Sequence, residues 1–377
     1  MSSGASVGAG CAVPAGFAAA LIAWQRVHGR HGLPWQSTRD PYVVWLSEVM
    51  LQQTQVSTVL TYFPRFLLRF PDVRALASAS TDEVMALWSG LGYYSRARNL
   101  HRCAQMVVTE HGGEFPRFAS ALATLPGIGE STAAAIAAFC HGEKISIVDG
   151  NVRRVLSRLL AYSGDLSMAS AQKELSLLAQ ALVPKTTFGD DMSAYTQGLM
   201  DLGATVCTRS RPLCERCPVS ELCRARAAGI AEQFPVKTRK TKRRHETWWL
   251  LLAKRVLRSG QIQWWLLRRP ARGIWAGLYC APVFESEVRL MDTLDAAQRE
   301  EVQLLEPVSH SLTHRELRLQ PLLLEIAEPC AAVPAGEGQW VSERDLHAHG
   351  MPAPLRALLM AQAQQPAAPV QGAAPAR

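Results

Sequence analysis

The apolar positions in the first part of the chain recur at the spacing of amphipathic helices. Such a pattern begins near Phe17 and returns in successive segments, each with one apolar face. No convincing strand-like alternation occurs before residue 245. Helices are predicted at about residues 17–29, 41–61, 81–89, 98–111, 117–123, 131–140, 150–161, 169–183 and 190–206. The first part of the chain is therefore predicted to be all-α.

The pattern changes after residue 245. The stretches TWWLLLAKR and QIQWWLLRR have the apolar and aromatic composition of buried strands, and LRLQPLLLEIA alternates in part. Helices are expected near residues 294–304 and 353–363. This part is predicted to form an α+β domain.

A basic run and two low-complexity ends divide the chain further. Lys237–Arg244 places six basic residues in eight, as a solvated linker does. With 377 residues, more than one core is expected. The predicted order is a disordered N-terminus (1–14), a helical domain (15–226), a basic linker (227–245), an α+β domain (246–363) and a disordered tail (364–377).

Composition narrows the class of protein. Hydrophobic residues make up 48% and charged residues 19%, as in globular proteins, and no apolar run reaches the roughly 18 to 20 residues of a membrane span. The N-terminus lacks the features of a signal peptide, so a soluble, cytoplasmic protein is expected. The net charge of +8 favours a polyanionic partner such as nucleic acid, with a merely solubilising surface charge as the alternative.

Four of the nine cysteines are clustered with the spacing C-x6-C-x2-C-x5-C, at Cys207, Cys214, Cys217 and Cys223. A zinc ribbon usually has two C-x2-C pairs, which this spacing does not provide. Four thiolates on one compact basic loop suit a [4Fe–4S] cluster. Zinc stays open as the alternative at this point.

The stretch LPGIGEST combines a Gly-x-Gly turn with the start of an Ala-rich helix. Gly127 and Gly129 stand where the backbone must approach something closely or adopt a positive φ. The free N–H groups at the start of the following helix favour an anion such as a phosphate. A plain turn between helices would explain the same residues.

Two carboxylates have the surroundings of catalytic groups. Asp149 opens the helix of VDGNVRRV, where it can cap the helix, face a sugar that develops positive charge, or do both, with Asn151 in hydrogen-bonding reach. Glu48 lies among apolar neighbours, and burial would raise its pKa and let it donate a proton. Gln52 and Gln55 are expected on the helix face of Glu48.

These motifs resemble the adenine DNA glycosylases of the MutY type. SEVMLQQTQV, GLGYYSRARNL, LPGIGESTA and VDGNVRRV match in order with the cysteine spacing, from LPW to about residue 360. The resemblance implies a helix–hairpin–helix glycosylase domain with a [4Fe–4S] cluster, followed by a Nudix-like domain. It also implies a monomer that binds double-stranded DNA with A:8-oxoguanine or A:G mispairs, and no membrane.

The resemblance further implies roles for individual residues. Glu48 would protonate the flipped adenine, Asp149 would stabilise the oxocarbenium-like sugar, and Asn151 would support that site. Tyr93 would wedge into the base stack with Gln53 beside it. The adenine pocket would be bordered by Leu33, Trp35 and Gln197.

Several positions depart from relatives. Ser131 stands where bifunctional members carry a Schiff-base lysine, so a monofunctional glycosylase is expected. Arg153 stands where some relatives carry a lysine, and His31 stands where a basic side chain is common next to LPW. In the second domain no Nudix catalytic motif is found, and Leu312-Thr313-His314 stands where Phe-Ser-His is frequent. Thr313 and His314 are the expected contacts to 8-oxoguanine.

Two other functions fit parts of the sequence. One is a bifunctional glycosylase and lyase that acts on oxidised pyrimidines. The other is a non-enzymatic, cluster-bearing protein that binds DNA or senses redox state, which would have no use for Glu48 together with Asp149.

Overall fold

The computed structural model describes residues 13–238, 243–326 and 337–364. Most of the predicted disordered ends (1–14 and 364–377) and part of the basic linker lie outside these residues. The described residues form two compact units, one within the ranges 1–78 and 99–240 and the other within 79–98 and 241–377. The segment 79–98 therefore packs with the C-terminal part of the chain, although the sequence suggested a helical domain over 15–226.

The first unit is built from helices around an apolar core. Its core joins five residues from five different helices: Leu21, Ala135, Leu156, Leu175 and Leu199. The helices from α1 to α12, including α5 of the second unit, are Phe17–His28, Pro41–Leu51, Val56–Arg69, Val73–Ser78, Thr81–Trp88, Ser95–His111, Ala119–Leu122, Glu130–His141, Gly150–Leu159, Ala169–Ala181, Asp191–Asp201 and Arg224–Ala227. A short π-helix, Leu202–Val206, continues α11.

The single helix predicted over residues 41–61 is wrong. The chain forms α2 and α3 with a break between them, where Gln53 has a φ of +57°. An L-residue in this left-handed region cannot continue a right-handed helix. The apolar pattern does not reveal this break, so it predicted one helix where there are two. The other predicted helices of this unit are present, with ends shifted by a few residues.

The second unit contains a mixed sheet whose centre is a long parallel pair. The strands β1 to β8 are Arg244–Val256, Ile262–Arg268, Tyr279–Cys280, Val283–Phe284, Gln303–Leu304, Val308–Ser311, Arg315–Glu325 and Gln339–Ser342. β1 and β7 pair from Arg244 opposite Arg315 to Lys254 opposite Glu325. Neighbouring strands in the sheet follow the order β3-β2-β1-β7-β5. In addition, β4 pairs with β1, β6 pairs with β7, and β8 pairs with β2.

Three helices, α13 to α15, accompany this sheet: Glu287–Met291, Ala296–Glu301 and Ala353–Ala363. A capping box between Asp295 and Gln298 starts α14, which is shorter than predicted because Gln303–Leu304 forms a strand. A cluster of buried leucines, including Leu251, Leu290 and Leu322, packs α13 against the sheet. Over the described ranges, every helix is too short or too polar to span a membrane.

Candidate active site

One large cleft in the first unit brings together most of the residues that the sequence singled out. Its volume is about 1300 Å³, ample for an extruded nucleotide. Segments far apart in the chain supply its walls, from the loop before α2 to α11. Ten predicted site residues line it: Leu33, Trp35, Glu48, Gln53, Gly127, Gly129, Ser131, Asp149, Asn151 and Gln197.

Glu48 is presented to the cleft by an otherwise apolar helix. α2 begins at Pro41, and Asp40 caps it by accepting a hydrogen bond from the N–H of Tyr42 at 2.9 Å. Glu48 keeps a partly accessible side toward the cleft, with protein around the rest of the side chain. Burial raises the pKa of Glu48 to about 8, and the charge of Asp149 adds to the shift. Glu48 is therefore protonated at neutral pH.

The break after α2 gives the glutamines different places from those expected. Gln52 and Gln55 do not share a helix face with Glu48, because the helix ends before Gln52. Gln52 instead donates from Nε2 to Oγ1 of Thr132 at 3.2 Å, which ties the end of α2 to α8. The left-handed conformation of Gln53 costs on the order of 1 kcal/mol and turns the chain at the cleft.

The Gly-x-Gly turn exposes backbone at the start of α8. Gly127 has a φ of +78°, and a Cβ there would lie 2.7 Å from Cβ of Asn99, so glycine is required. Gly129 has an ordinary φ of −84°, and a Cβ there would meet nothing within 4 Å. The expected constraint therefore holds for Gly127, whereas at Gly129 a close approach of the backbone to a phosphate stays a prediction. No side chain caps α8 at Gly129, so its first amides can bind an anion.

α9 carries Asp149 and Asn151 at its start. Oδ1 of Asp149 accepts a hydrogen bond from the N–H of Val152 at 2.7 Å, so this carboxylate is the helix cap while it lines the cleft. Oδ1 of Asn151 accepts from Nη2 of Arg154 at 3.0 Å. Arg154 also donates to the carbonyl of Cys207 at 2.8 Å. The sequence did not single out Arg154, and the basic pair in VDGNVRRV was its only signal.

The four clustered cysteines surround one largely apolar cavity, and all four are free thiols: Cys207, Cys214, Cys217 and Cys223. Arg158 is 1% exposed and donates to Sγ of Cys207 at 3.3 Å and to the carbonyl of Thr208 at 2.6 Å. Within the described ranges, no three His, Cys, Asp or Glu side chains form a site for a single metal ion. Thiols placed around a space fit a cluster of several metal atoms.

Three predicted site residues lie in the second unit. Tyr93 has a φ of +46° and is 44% exposed, although it is aromatic. The hydroxyl of Thr313 donates to Oη of Tyr93 at 3.2 Å. Thr313 and exposed His314 lie in the β6–β7 turn, which the N–H of Leu312 closes onto the carbonyl of Arg315 at 2.8 Å. The expected wedge and the expected recognition loop are therefore in contact.

Sequence reasoning missed four arginines that line the cleft: Arg26, Arg30, Arg39 and Arg154. They come from three separate parts of the chain, since Arg26 and Arg30 lie close together at the end of α1, and their position around one cleft follows from the fold. Their combined positive charge suits the phosphates of a nucleic acid.

Comparisons with known proteins agree with this architecture. Residues 46–181 match the HhH-GPD superfamily of base excision DNA repair proteins, residues 207–223 the iron–sulfur binding domain of endonuclease III, and residues 255–361 a NUDIX domain. A solved thermostable thymine-DNA glycosylase is 29% identical with a TM-score of 0.49, over 56% of this chain and 95% of that chain. The three domain matches within this chain confirm the predicted fold class and an iron–sulfur centre.

Similarity to curated relatives identifies the family of this chain. An adenine DNA glycosylase of Buchnera aphidicola subsp. Schizaphis graminum is 30% identical over 350 residues, which cover 91% of this chain and 97% of the relative. The adenine DNA glycosylase of Homo sapiens is 35% identical over 415 residues, which cover 93% of this chain and 74% of the relative. With its helix–hairpin–helix, iron–sulfur and Nudix-like parts, this chain belongs to the family of MutY-type adenine DNA glycosylases of base excision repair.

Proposed function

We propose that this protein acts as a monomer on double-stranded DNA and hydrolyses the N-glycosidic bond of adenine paired with 8-oxoguanine or guanine, without cutting the strand. The observation that supports this best is that protonated Glu48 and the carboxylate of Asp149 line the same cleft. Glycoside hydrolysis uses such a pair, one group as the acid and the other at the developing cation.

The proposed reaction begins with extrusion of the adenine, at a cost of a few kcal/mol. Backbone amides of the hairpin bind a phosphate beside it. Glu48 protonates a ring nitrogen of adenine, which turns the base into a neutral leaving group. Asp149 stabilises the positive charge that develops on the sugar, and Asn151 supports this position. Water then completes hydrolysis.

The absence of strand cleavage follows from the lining of the cleft. A lyase needs an amine to form a Schiff base with the sugar. Among the described residues that line the cleft there is no lysine, and Ser131 offers a hydroxyl beside the hairpin. A hydroxyl cannot form an imine, so the abasic product should be released with its strand intact.

We infer that the iron–sulfur centre is a [4Fe–4S] cluster with one cysteine for each iron, at Cys207, Cys214, Cys217 and Cys223. When bound, the cluster would supply four metal–thiolate bonds that brace the loop. Arg154 and Arg158 of α9 hold the backbone of the same loop through its carbonyl groups. The start of α9, where Asp149 lies, is therefore anchored close to a rigid element.

The raised pKa of Glu48 predicts how activity depends on pH. Adenine release should be nearly constant around neutral pH and fall as the pH rises through about 8, because Glu48 then loses its proton. Single-turnover rates on A:8-oxoguanine duplex would measure this, with DNA binding at each pH as the control. A rate that stays level well above that pKa, while binding is unchanged, would contradict the role of Glu48 as the acid.

The contact between Thr313 and Tyr93 predicts a shared role in reading the opposite base. Thr313→Val and Tyr93→Phe each remove this hydrogen bond, which should reduce the preference for A:8-oxoguanine over A:G roughly 2- to 10-fold. Combining them should add little, since both changes remove the same bond. Single-turnover rates on the two duplexes measure the preference. Full additivity, or an unchanged preference, would rule out a shared role.

The proposed function has a direct test. The protein is incubated with a labelled duplex that contains A:8-oxoguanine, and half of each sample is treated with alkali. Product that appears almost only after alkali supports a monofunctional glycosylase. Equal nicking without alkali, or efficient borohydride trapping on duplex with thymine glycol, would favour the bifunctional alternative.

A further inference from the structure

A buried carboxylate at the end of α11 lies behind the wall of the cleft. Asp201 is 1% exposed and accepts three hydrogen bonds. The backbone N–H of Arg30 donates to Oδ2 at 2.9 Å, and Nε of Arg30 donates to Oδ1 at 2.7 Å. Nε2 of Gln197 also donates to Oδ1, at 2.8 Å. Asp201 therefore connects two side chains that line the cleft, from α11 and from the loop after α1.

This arrangement decides which end of the Gln197 amide faces the cleft. An ionised carboxylate can only accept hydrogen bonds, so the NH₂ end of Gln197 must point to Asp201. The carbonyl Oε1 is then the end left for the cleft. Arg30 is held in the same way through Nε, which leaves its terminal nitrogens as donors. The buried carboxylate of Asp201 thus orients both an acceptor, Oε1 of Gln197, and donors, the terminal nitrogens of Arg30, at the wall of the cleft.

The chain next to Arg30 is shaped for close contact with Asp201. At Gly29, a Cβ would lie 3.0 Å from Oδ2 of Asp201 and 2.5 Å from the carbonyl oxygen of Gln25. A side chain there would push the loop away from the carboxylate. The loop and α11 therefore meet with little freedom, as a site that orients functional groups requires.

We propose that Asp201 is a positioning residue for base specificity: it orients Gln197 so that the cleft presents a carbonyl acceptor to an exocyclic amine on the extruded base. This inference rests on the proposed function. Adenine carries an amine donor at ring position 6, whereas hypoxanthine carries a carbonyl acceptor there. Gln197 then favours adenine, because two acceptors facing each other leave both unpaired.

Exchanging the amide of Gln197 and the carboxylate of Asp201 between the two positions tests this proposal. In Asp201→Asn, one acceptor oxygen is left for the three donors that Asp201 holds, and an NH₂ group replaces the other oxygen, so the orientation of Gln197 is no longer fixed. In Gln197→Glu, two carboxylates face each other. In the double variant, the new NH₂ donates to one oxygen of residue 197, and the other oxygen can again accept from the base. The total charge of the pair is the same as in the wild type.

The readout is the ratio of single-turnover release of adenine to that of hypoxanthine opposite 8-oxoguanine. We expect each single variant to lower this ratio about 10- to 100-fold and the double variant to recover most of it. A merely structural role of Asp201 does not predict recovery. Glu174→Gln is the control, because Glu174 accepts from Tyr162 at 2.7 Å outside the cleft. Melting temperatures report whether each variant is folded.

Binding of free adenine and free hypoxanthine, followed by NMR line broadening, gives a second readout that needs no catalysis. The wild type should bind adenine in preference, and Asp201→Asn should lose that preference. The inference is overturned if Asp201→Asn keeps the wild-type preference, or if the double variant is no better than the single ones. A wild type that releases no adenine from DNA would contradict the proposed function, while free-base binding would still decide the role of Asp201.

Discussion

Replacing Glu48 by glutamine is expected to reduce the single-turnover rate of adenine release about 10³-fold or more. The amide keeps the shape of the side chain but carries no acidic proton, and general acids contribute roughly 10² to 10⁴ in rate. Duplex affinity should change little, because phosphate contacts dominate it. Quenched-flow release from A:8-oxoguanine duplex, with affinity from fluorescence anisotropy, measures both quantities.

The same substitution should stabilise the fold near neutral pH. The pKa of Glu48 is raised to about 8 from an ordinary 4.5, so the folded state binds this proton more tightly than the unfolded state. Stability conferred by the group is present below pH 4.5 and is lost as the pH rises toward 8. Glu48→Gln removes this loss, so its melting temperature at pH 8 should exceed that of the wild type. Wild-type activity in Glu48→Gln would refute its assignment as the acid.

Replacing Asp149 by asparagine should separate its two roles. Asparagine caps a helix about as well as aspartate, so the free energy of unfolding should stay within about 1 kcal/mol of the wild type. The amide cannot oppose the positive charge on the sugar, and the rate of adenine release should fall about 10²- to 10³-fold. Thermal or urea unfolding and single-turnover kinetics measure the two effects.

Asp149→Ala is the matched control for the cap. It loses both the charge and the hydrogen bond to the N–H of Val152, so it should be less stable than Asp149→Asn by about 1 kcal/mol while being equally slow. If Asp149→Asn kept full activity, and only Asp149→Ala were impaired, the carboxylate would be a structural cap and nothing more.

Local patterns in the sequence predicted the helices and the strands well, because each depends on neighbours within a few positions. Apolar periodicity marked α8 and α9, and the carboxylate before α9 was correctly placed as its cap. The same periodicity failed at Gln53, because helical spacing carries no sign of a left-handed residue. The sequence also could not show that Gly127 has a positive φ and Gly129 an ordinary one, because glycine adopts either conformation.

Local sequence patterns could not predict contacts between segments that are far apart in the chain. The family resemblance assigned Glu48, Asp149 and Gln197 to one active site. In contrast, nothing in the sequence near position 201 distinguished Asp201 from a solvated aspartate. Two of its three hydrogen bonds come from Arg30, which is 171 residues away in the chain. The contact between Tyr93 and Thr313 spans 220 residues in the same way. Such pairs follow from packing, which only the folded structure specifies.

The central claim is that this chain releases adenine according to the base opposite it, and one comparison tests that claim most directly. Adenine release under single-turnover conditions is measured on three duplexes that differ only in having 8-oxoguanine, guanine or thymine opposite the adenine. We predict the fastest release opposite 8-oxoguanine, slower release opposite guanine, and almost none opposite thymine. Equal rates on all three duplexes, or no adenine release from any of them, would contradict the account.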